Sequence, residues 1–292
     1  MTYLKRVNYS QRSGVCVNIV SLALLHFYCA KGTCEMNPEI IRRVVMVTGA
    51  TSGIGRATAG RFAAAGDHIV AFGRDRAALE EVEQEISTAG GTASAMAVDV
   101  TIESDLRRAF DAAISKTGRL HVLVNAAGHI SNGSIEDTSL DDWDAMMNVN
   151  LRSVFYLMQM ATPHLVKTGG SVVNVSSVTG LRSFPGVLAY CVSKAGVDQL
   201  TRCSALELAA KGVRVNAVNP GVVITEIHKR GGMTAEAYET FLERSKTTHP
   251  IGRVGEASEI AELIFFLASD KASWITGGTY QIDGGRALTC AR

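Results

Sequence analysis

The sequence predicts an α/β fold: one doubly wound parallel sheet, seven strands with helices on both faces. Three observations predict it. Short β-branched runs alternate with helical patterns from Ile40 nearly to the C-terminus, which implies parallel strands joined by helical crossovers. The strand candidates are almost continuously apolar, as strands covered on both faces must be. A glycine-rich stretch, Thr48–Gly55, falls directly between the first strand and the first helix.

The elements follow in order. Arg43–Val47 is the first strand, and the helix after the glycines turns Ala57, Phe62 and Ala63 inward and stops at Gly66. His68–Phe72 is the second strand, with a helix over 75–89 behind it. A third strand ends in Ala97-Val98-Asp99, and a helix over 103–117 leads to the apolar strand Leu120–Val124. A long helix is expected over about 140–165, then the strand Ser171–Val175, a helix from Leu188 to Lys211 and the strand Val213–Val218. Residues 226–250 are polar and read as irregular, with Gly231-Gly232 as a hinge. A helix near 256–269 precedes the last strand, Thr279–Asp283. Five prolines in 292 residues, with no Pro/Ser-rich linker, favour one domain of Rossmann type.

Hydrophobic residues make up 47% and charged residues 20%, enough for a sizeable core and too apolar for a disordered or coiled-coil chain. The formal net charge of +1 gives no support to a nucleic-acid binder. Six scattered cysteines make neither a disulfide scaffold nor a zinc site. The start is unlike the rest. Residues 1–34 carry Lys5, Arg6, Arg12 and Lys31 and no acid, with an apolar run from Val15 to Ala30. Three readings stand: an extension with no fold of its own, a mitochondrial presequence, or a signal or anchor. Residues 1–38 are therefore set apart from a domain over 39–292, whose expected location is cytoplasmic, or mitochondrial if residues 1–35 act as a presequence.

The glycine-rich loop, Gly49-x-x-x-Gly53-x-Gly55 with Thr48 in front, is suited to a dinucleotide pyrophosphate. Glycines let backbone approach phosphate, and a helix N-terminus offers free N–H groups. The same spacing also serves plain strand–helix connections. The end of the second strand bears on which dinucleotide. An acid there would hold ribose hydroxyls, but Phe72 is followed by Gly73 and Arg74. Arg74 pairs naturally with a 2′-phosphate, which favours NADP(H) over NAD(H). A solvated loop charge is the alternative, and Asp75 reads as a helix cap. Asp99, ending the third strand, lies where an adenine amino group would be read.

Tyr190 and Lys194 stand four apart on a predicted helix and share a face. A free tyrosine titrates near pH 10, and a nearby ammonium stabilises its phenolate. Such a pair exchanges a proton with an alkoxide or alcohol. Ser177 ends the fifth strand, on the side facing the ligand crevice, where a hydroxyl holds a carbonyl oxygen or merely caps a turn.

More segments fall in the same order: Asp99-Val100, Asn125-Ala126-Ala127-Gly128, Asn148-Val149-Asn150-Leu151, and Asn219-Pro220-Gly221 followed by Thr225. Together, over about residues 41–285, they resemble the classical short-chain dehydrogenase/reductase family. Residues 171–255 are similar to bacterial-type 3-oxoacyl-carrier-protein reductases and the animal dehydrogenases like them. The resemblance implies direct hydride transfer without metal. It makes Tyr190 the acid/base, has Lys194 bind the nicotinamide ribose and lower the tyrosine pKa, and has Ser177 position the substrate oxygen. Asn150 would hold a water that links the lysine to solvent, and Thr225 would bind the carboxamide. The implied cofactor wall is Thr48, Gly49, Ser52, Gly53, Ile54, Gly55, Arg74, Asp99, Val100, Asn125, Ala126, Gly128, Pro220, Gly221 and Thr225, with Tyr190 and Lys194. The resemblance also suggests a homotetramer through helices 140–165 and 188–211.

Two departures stand out. Ala126 replaces an asparagine common in the family. Ser52 stands where the NADP-type subgroup carries a basic residue in the glycine loop. For the substrate, Val178, Leu181, Phe184, Leu188 and Val222 are candidates for an apolar pocket under a lid over 226–250, or plain core. A ketone or secondary alcohol on an apolar body would suit: a 3-oxoacyl chain, a steroid or a xenobiotic carbonyl. An NAD-dependent hydroxysteroid-type oxidant and a non-catalytic dinucleotide sensor are the competing readings.

Overall fold

The computed structural model describes residues 42–289 and, apart from them, a two-residue antiparallel pair, Cys29–Ala30 with Thr33–Cys34. The chain divides into two units, Met1–Ile41 and Arg42–Arg292. Apart from that pair, the extension read over 1–38 lies outside the described residues.

The second unit contains one seven-stranded sheet: β1 (Val44–Thr48), β2 (His68–Gly73), β3 (Thr92–Ala97), β4 (Val122–Asn125), β5 (Ser171–Val175), β6 (Arg214–Pro220) and β7 (Thr279–Ile282). Their spatial order is β3-β2-β1-β4-β5-β6-β7, and every pairing is parallel. This is the doubly wound Rossmann arrangement expected from the sequence. The order reverses between β1 and β4, so their carboxyl ends open a crevice there. Thr48 and Asn125 are register partners at that point.

Strand alternation builds two cores. Val44, Met46, Val70, Phe72 and Leu123 face one side, against Leu106, Phe110, Leu157 and Leu165. These last four come from α3 (Glu103–Thr117) and α5 (Ser153–Thr168). Val45, Val47, Ile69, Ala71 and Val124 face the other side, against Phe62, Leu79, Val82, Ile260 and Ile264. Those come from α1 (Gly53–Ala64), α2 (Arg76–Thr88) and α10 (Ala257–Leu267). In α1 the inward set is Gly55, Thr58, Ala59, Phe62 and Ala63; Ala57, expected inward, is only half-buried. A third cluster, Met146, Ala189 and Tyr190 with Trp143, Ile130 and Val187, fixes the root of the candidate catalytic tyrosine.

Two expectations are corrected. The helix predicted over 140–165 is three pieces: α4 (Leu140–Met147), a π turn over Asn148–Arg152, and α5. Apolar periodicity continues across the junction, so the extra residue of a π turn leaves no trace in the pattern. The segment read as irregular over 226–250 folds into α8 (Ile227–Arg230) and α9 (Ala235–Thr248). α9 buries only Tyr238 and Ser245, too few for a visible stripe, while Thr234 caps its start by accepting the Ala237 N–H at 3.2 Å. No helix among the described residues is long and apolar enough to cross a membrane.

Candidate active site

The carboxyl ends of the strands open into one cleft of about 1570 Å³, from the glycine loop to the lid helices α8 and α9. The loop after β1 is shaped by what a side chain would hit. Gly49 and Gly53 hold φ of 66° and 51°, in the left-handed region. A Cβ on Gly49 would lie 2.9 Å from Ala126 O, and one on Gly55 would lie 2.2 Å from Gly49 O. The cradle therefore needs glycine, and backbone lines it. α1 begins beside it with no side-chain cap on its N-terminus and no acid in its first turn. Its free N–H groups suit an anion, so these residues fit a dinucleotide pyrophosphate.

Thr48 holds the neighbouring turn. Its Oγ1 accepts the N–H groups of Ala126 and Ala127 at 3.1 and 3.0 Å. Asn125 donates to Asn174 Oδ1 at 2.8 Å, and Asn174 donates to Thr201 at 2.9 Å. Thr48 and Asn125, predicted on the cofactor wall, are buried behind it rather than lining it. Gly49, Ser52, Gly53, Ile54, Gly55, Arg74, Asp99, Val100, Ala126, Gly128, Pro220, Gly221 and Thr225 do line the cleft.

Arg74 is exposed on the rim at the end of β2. Asp75 spends its carboxylate on the Ala78 N–H at 3.2 Å, the cap expected from the sequence. Burial pushes the Asp99 carboxyl up, but the Thr101 N–H and hydroxyl and the Arg74 charge together hold it below its ordinary value.

Ser177, Tyr190 and Lys194 come together in the cleft. Ser177 is the N-cap of the short helix α6 (Val178–Leu181), its Oγ accepting the Thr179 N–H at 3.1 Å. Tyr190 and Lys194 lie one turn apart on α7 (Leu188–Ala209), both buried. Burial pushes the Tyr190 phenol up to about 12, against the pull of the Ser177 hydroxyl. Lys194, which the resemblance expects to lower this pKa, is not among the groups that produce the shift. The Lys194 ammonium donates to Val175 O at 2.8 Å and stands 5.7 Å from the Tyr190 ring centre. Burial brings Lys194 itself down to about 8, with the Asp198 charge acting the other way. Asn150 sits in the π turn, behind the wall of the cleft. It accepts the His129 N–H and donates to His129 O, both at 2.8 Å, and also donates to Ser193 Oγ at 3.0 Å. Both Asn150 Oδ1 and Lys194 Nζ lie within 4 Å of where a Gly128 Cβ would stand.

Sequence reasoning missed Asp198, the next residue on the Tyr190–Lys194 face. It accepts Asn219 Nδ2, at 2.9 Å to its nearer oxygen, while the same amide donates to Ser177 O at 2.9 Å. The network fixes the backbone under Ser177. A lone acid four residues after Lys194 on an otherwise buried helix face was the available signal. The lid is pinned too: Tyr238 of α9 donates to Thr225 O at 2.9 Å and accepts the Thr225 N–H at 3.2 Å. Of the expected pocket residues, Val178, Phe184 and Val222 line the cleft, and Leu181 and Leu188 do not.

Known proteins share this framework. The family model described as Enoyl-(Acyl carrier protein) reductase matches residues 49–287. A 3-oxoacyl-acyl-carrier-protein reductase of Thermotoga maritima is 39% identical over 247 residues, covering 84% of this chain and 98% of that protein. The chain belongs to the classical short-chain dehydrogenase/reductase family. A cyclohexanol dehydrogenase of an Acinetobacter species is 36% identical over 251 residues, 85% of this chain and 96% of its own. A Caenorhabditis elegans structure, titled a short-chain dehydrogenase/reductase of unknown function with cofactor, superimposes with TM-score 0.82 at 35% identity. It covers 85% of this chain and 96% of that one. This short-chain dehydrogenase/reductase is thus a nucleotide-binding, NAD(P)-dependent oxidoreductase acting on CH–OH groups of small molecules.

Proposed function

We propose that the protein reduces a ketone on an apolar body, such as a 3-oxoacyl, steroid or xenobiotic carbonyl, with NADP(H) as cofactor. The observation that carries this reading is a buried tyrosine, a hydroxyl against it and a buried lysine, in one cleft with a glycine cradle. When bound, the nicotinamide supplies the hydride. The chain's own groups manage the proton and the orientation. A phenol with pKa about 12 is protonated at neutral pH, so Tyr190 acts as the acid toward a nascent alkoxide. Ser177, locked by Thr179 and by Asn219 beneath it, holds the carbonyl oxygen. Lys194 holds the ribose and supplies positive charge beside the phenol, while Asn150 keeps the Gly128–His129 backbone in place and links the lysine toward solvent.

The preference for NADP(H) is supported by Arg74 on the rim, the lack of an acid ending β2, and the commitment of Asp75 to its cap. Residues 39–292 are proposed as the reductase domain, cytoplasmic unless residues 1–35 direct it to mitochondria. A homotetramer is proposed through α5 and α7, whose Phe155, Val192 and Leu206 stay exposed in the single chain.

Fluorescence titration of the full chain with NADPH and NADH, followed by turnover on a panel of ketones, tests the reading. Tighter NADPH binding and turnover that vanishes in Tyr190→Phe are expected. Arg74→Asp is expected to turn the preference toward NADH. Tighter NADH binding would move the reading to an NAD-dependent alcohol dehydrogenase. Turnover that survives in Tyr190→Phe would sink the acid assignment.

A further inference from the structure

Arg230 reaches from the lid into the cofactor half of the cleft. It is the last residue of α8. Its Nη1 donates to Ser52 Oγ at 3.0 Å across 178 residues of sequence. Ser52 is the position in the glycine loop where the NADP-type subgroup of the family carries a basic side chain, and this chain has none there. The lid therefore delivers a guanidinium to the place where the loop lacks a cation.

The electrostatics around Arg230 call for an anion. Arg74 lines the same cleft, close enough that, after partial burial, its like charge lowers the Arg230 pKa. Glu226, one turn back on the lid, makes its ion pair with Lys229 at 3.2 Å, and its charge on Arg230 only partly offsets burial and the repulsion from Arg74. Among the described residues, Asp99 is the one acid lining the cleft, and its Oδ1 is engaged by the Thr101 N–H and hydroxyl at 2.9 and 2.7 Å. No described carboxylate lies within 4.0 Å of Arg74 or Arg230. A serine hydroxyl takes one of the five guanidinium N–H groups, leaving a fork free for a phosphate.

We propose that Arg230 is a specificity-determining residue. It joins Arg74 on the 2′-phosphate of NADP(H) and replaces in space the cation missing at Ser52, so lid and glycine loop close on the cofactor together. This rests on the NADP(H) reading above and adds a second residue to it.

Calorimetric titration of the full chain with 2′,5′-ADP and with 5′-AMP tests it, because the two probes differ only by the 2′-phosphate. In Arg230→Gln, the affinity for 2′,5′-ADP should fall at least about tenfold, one charge-assisted hydrogen bond's worth, while 5′-AMP changes by less than about twofold. Arg230→Lys should recover part of the loss, and an unchanged melting temperature would show that both variants fold. Equal losses on the two probes, or no loss on either, would overturn the proposal. If the unsubstituted chain binds 2′,5′-ADP no better than 5′-AMP, the NADP(H) reading itself fails. If it prefers 2′,5′-ADP and Arg230→Gln keeps that preference, only the role of Arg230 fails.

Discussion

Lys194 shows how a buried charge trades stability for chemistry. Its folded pKa of about 8 lies below the ordinary 10.5. The unfolded chain therefore binds the proton more tightly, and the native state is penalised below about pH 8, with the penalty relieved as pH rises toward 10.5. Lys194→Met should raise stability at pH 7 by on the order of 1–2 kcal/mol, allowing for the lost bond to Val175. Denaturant titrations at pH 7 and pH 10 should show that gain shrinking at the higher pH, while activity is lost at both. The same titration should appear in catalysis: reduction slows as pH rises through about 8 and Lys194 loses its charge. A rate profile flat to pH 10 would falsify that assignment. Tyr190 and Lys194 were legible as a pair from their spacing. The direction of the tyrosine shift was not, because it depends on how deeply α7 is packed.

At the scale of elements, the glycine loop and the start of α1 form one rigid unit. In Gly55→Ala the new Cβ would meet backbone, 2.2 Å from Gly49 O. The helix must shift, and overpacking of this kind costs about 1–3 kcal/mol. A lower melting temperature together with weaker NADPH binding is expected, and a variant that melts and binds like the parent would show that the cradle has slack. The lid depends on α9, which the sequence hid. Tyr238→Phe removes both of its hydrogen bonds to the Thr225 backbone. It should weaken substrate capture, raising KM several-fold with kcat little changed, as steady-state kinetics would show. The π turn was equally hidden. It adds a residue to a helix without altering the apolar pattern, and that residue's turn carries Asn150 to the His129 backbone.

On the scale of the whole molecule, every strand of the seven-stranded sheet lies between Val44 and Ile282. A chain lacking residues 1–35 should therefore keep its fold and its cofactor binding, checked by circular dichroism and by NADPH titration. Loss of either would make the extension part of the working protein. Light scattering should find a tetramer, with Leu206→Glu on the exposed face of α7 shifting it toward smaller species. A monomer in the parent chain would refute the proposed contact.

By itself the sequence determined the order of strands and helices, the glycine cradle, the cap on α2 and the Ser177–Tyr190–Lys194 set. Each is written in local spacing, in turn chemistry or in a two-residue or four-residue period. Only the tertiary structure decided the rest. It set Thr48, Asn125 and Asn150 behind the wall, recruited Asp198 beneath Ser177, pushed the tyrosine pKa up by burial, and laid Arg230 on Ser52. The physical reason is common to all four. Burial, desolvation and contacts between residues 20 to 180 positions apart are properties of the packed molecule, and no local pattern in the chain encodes them.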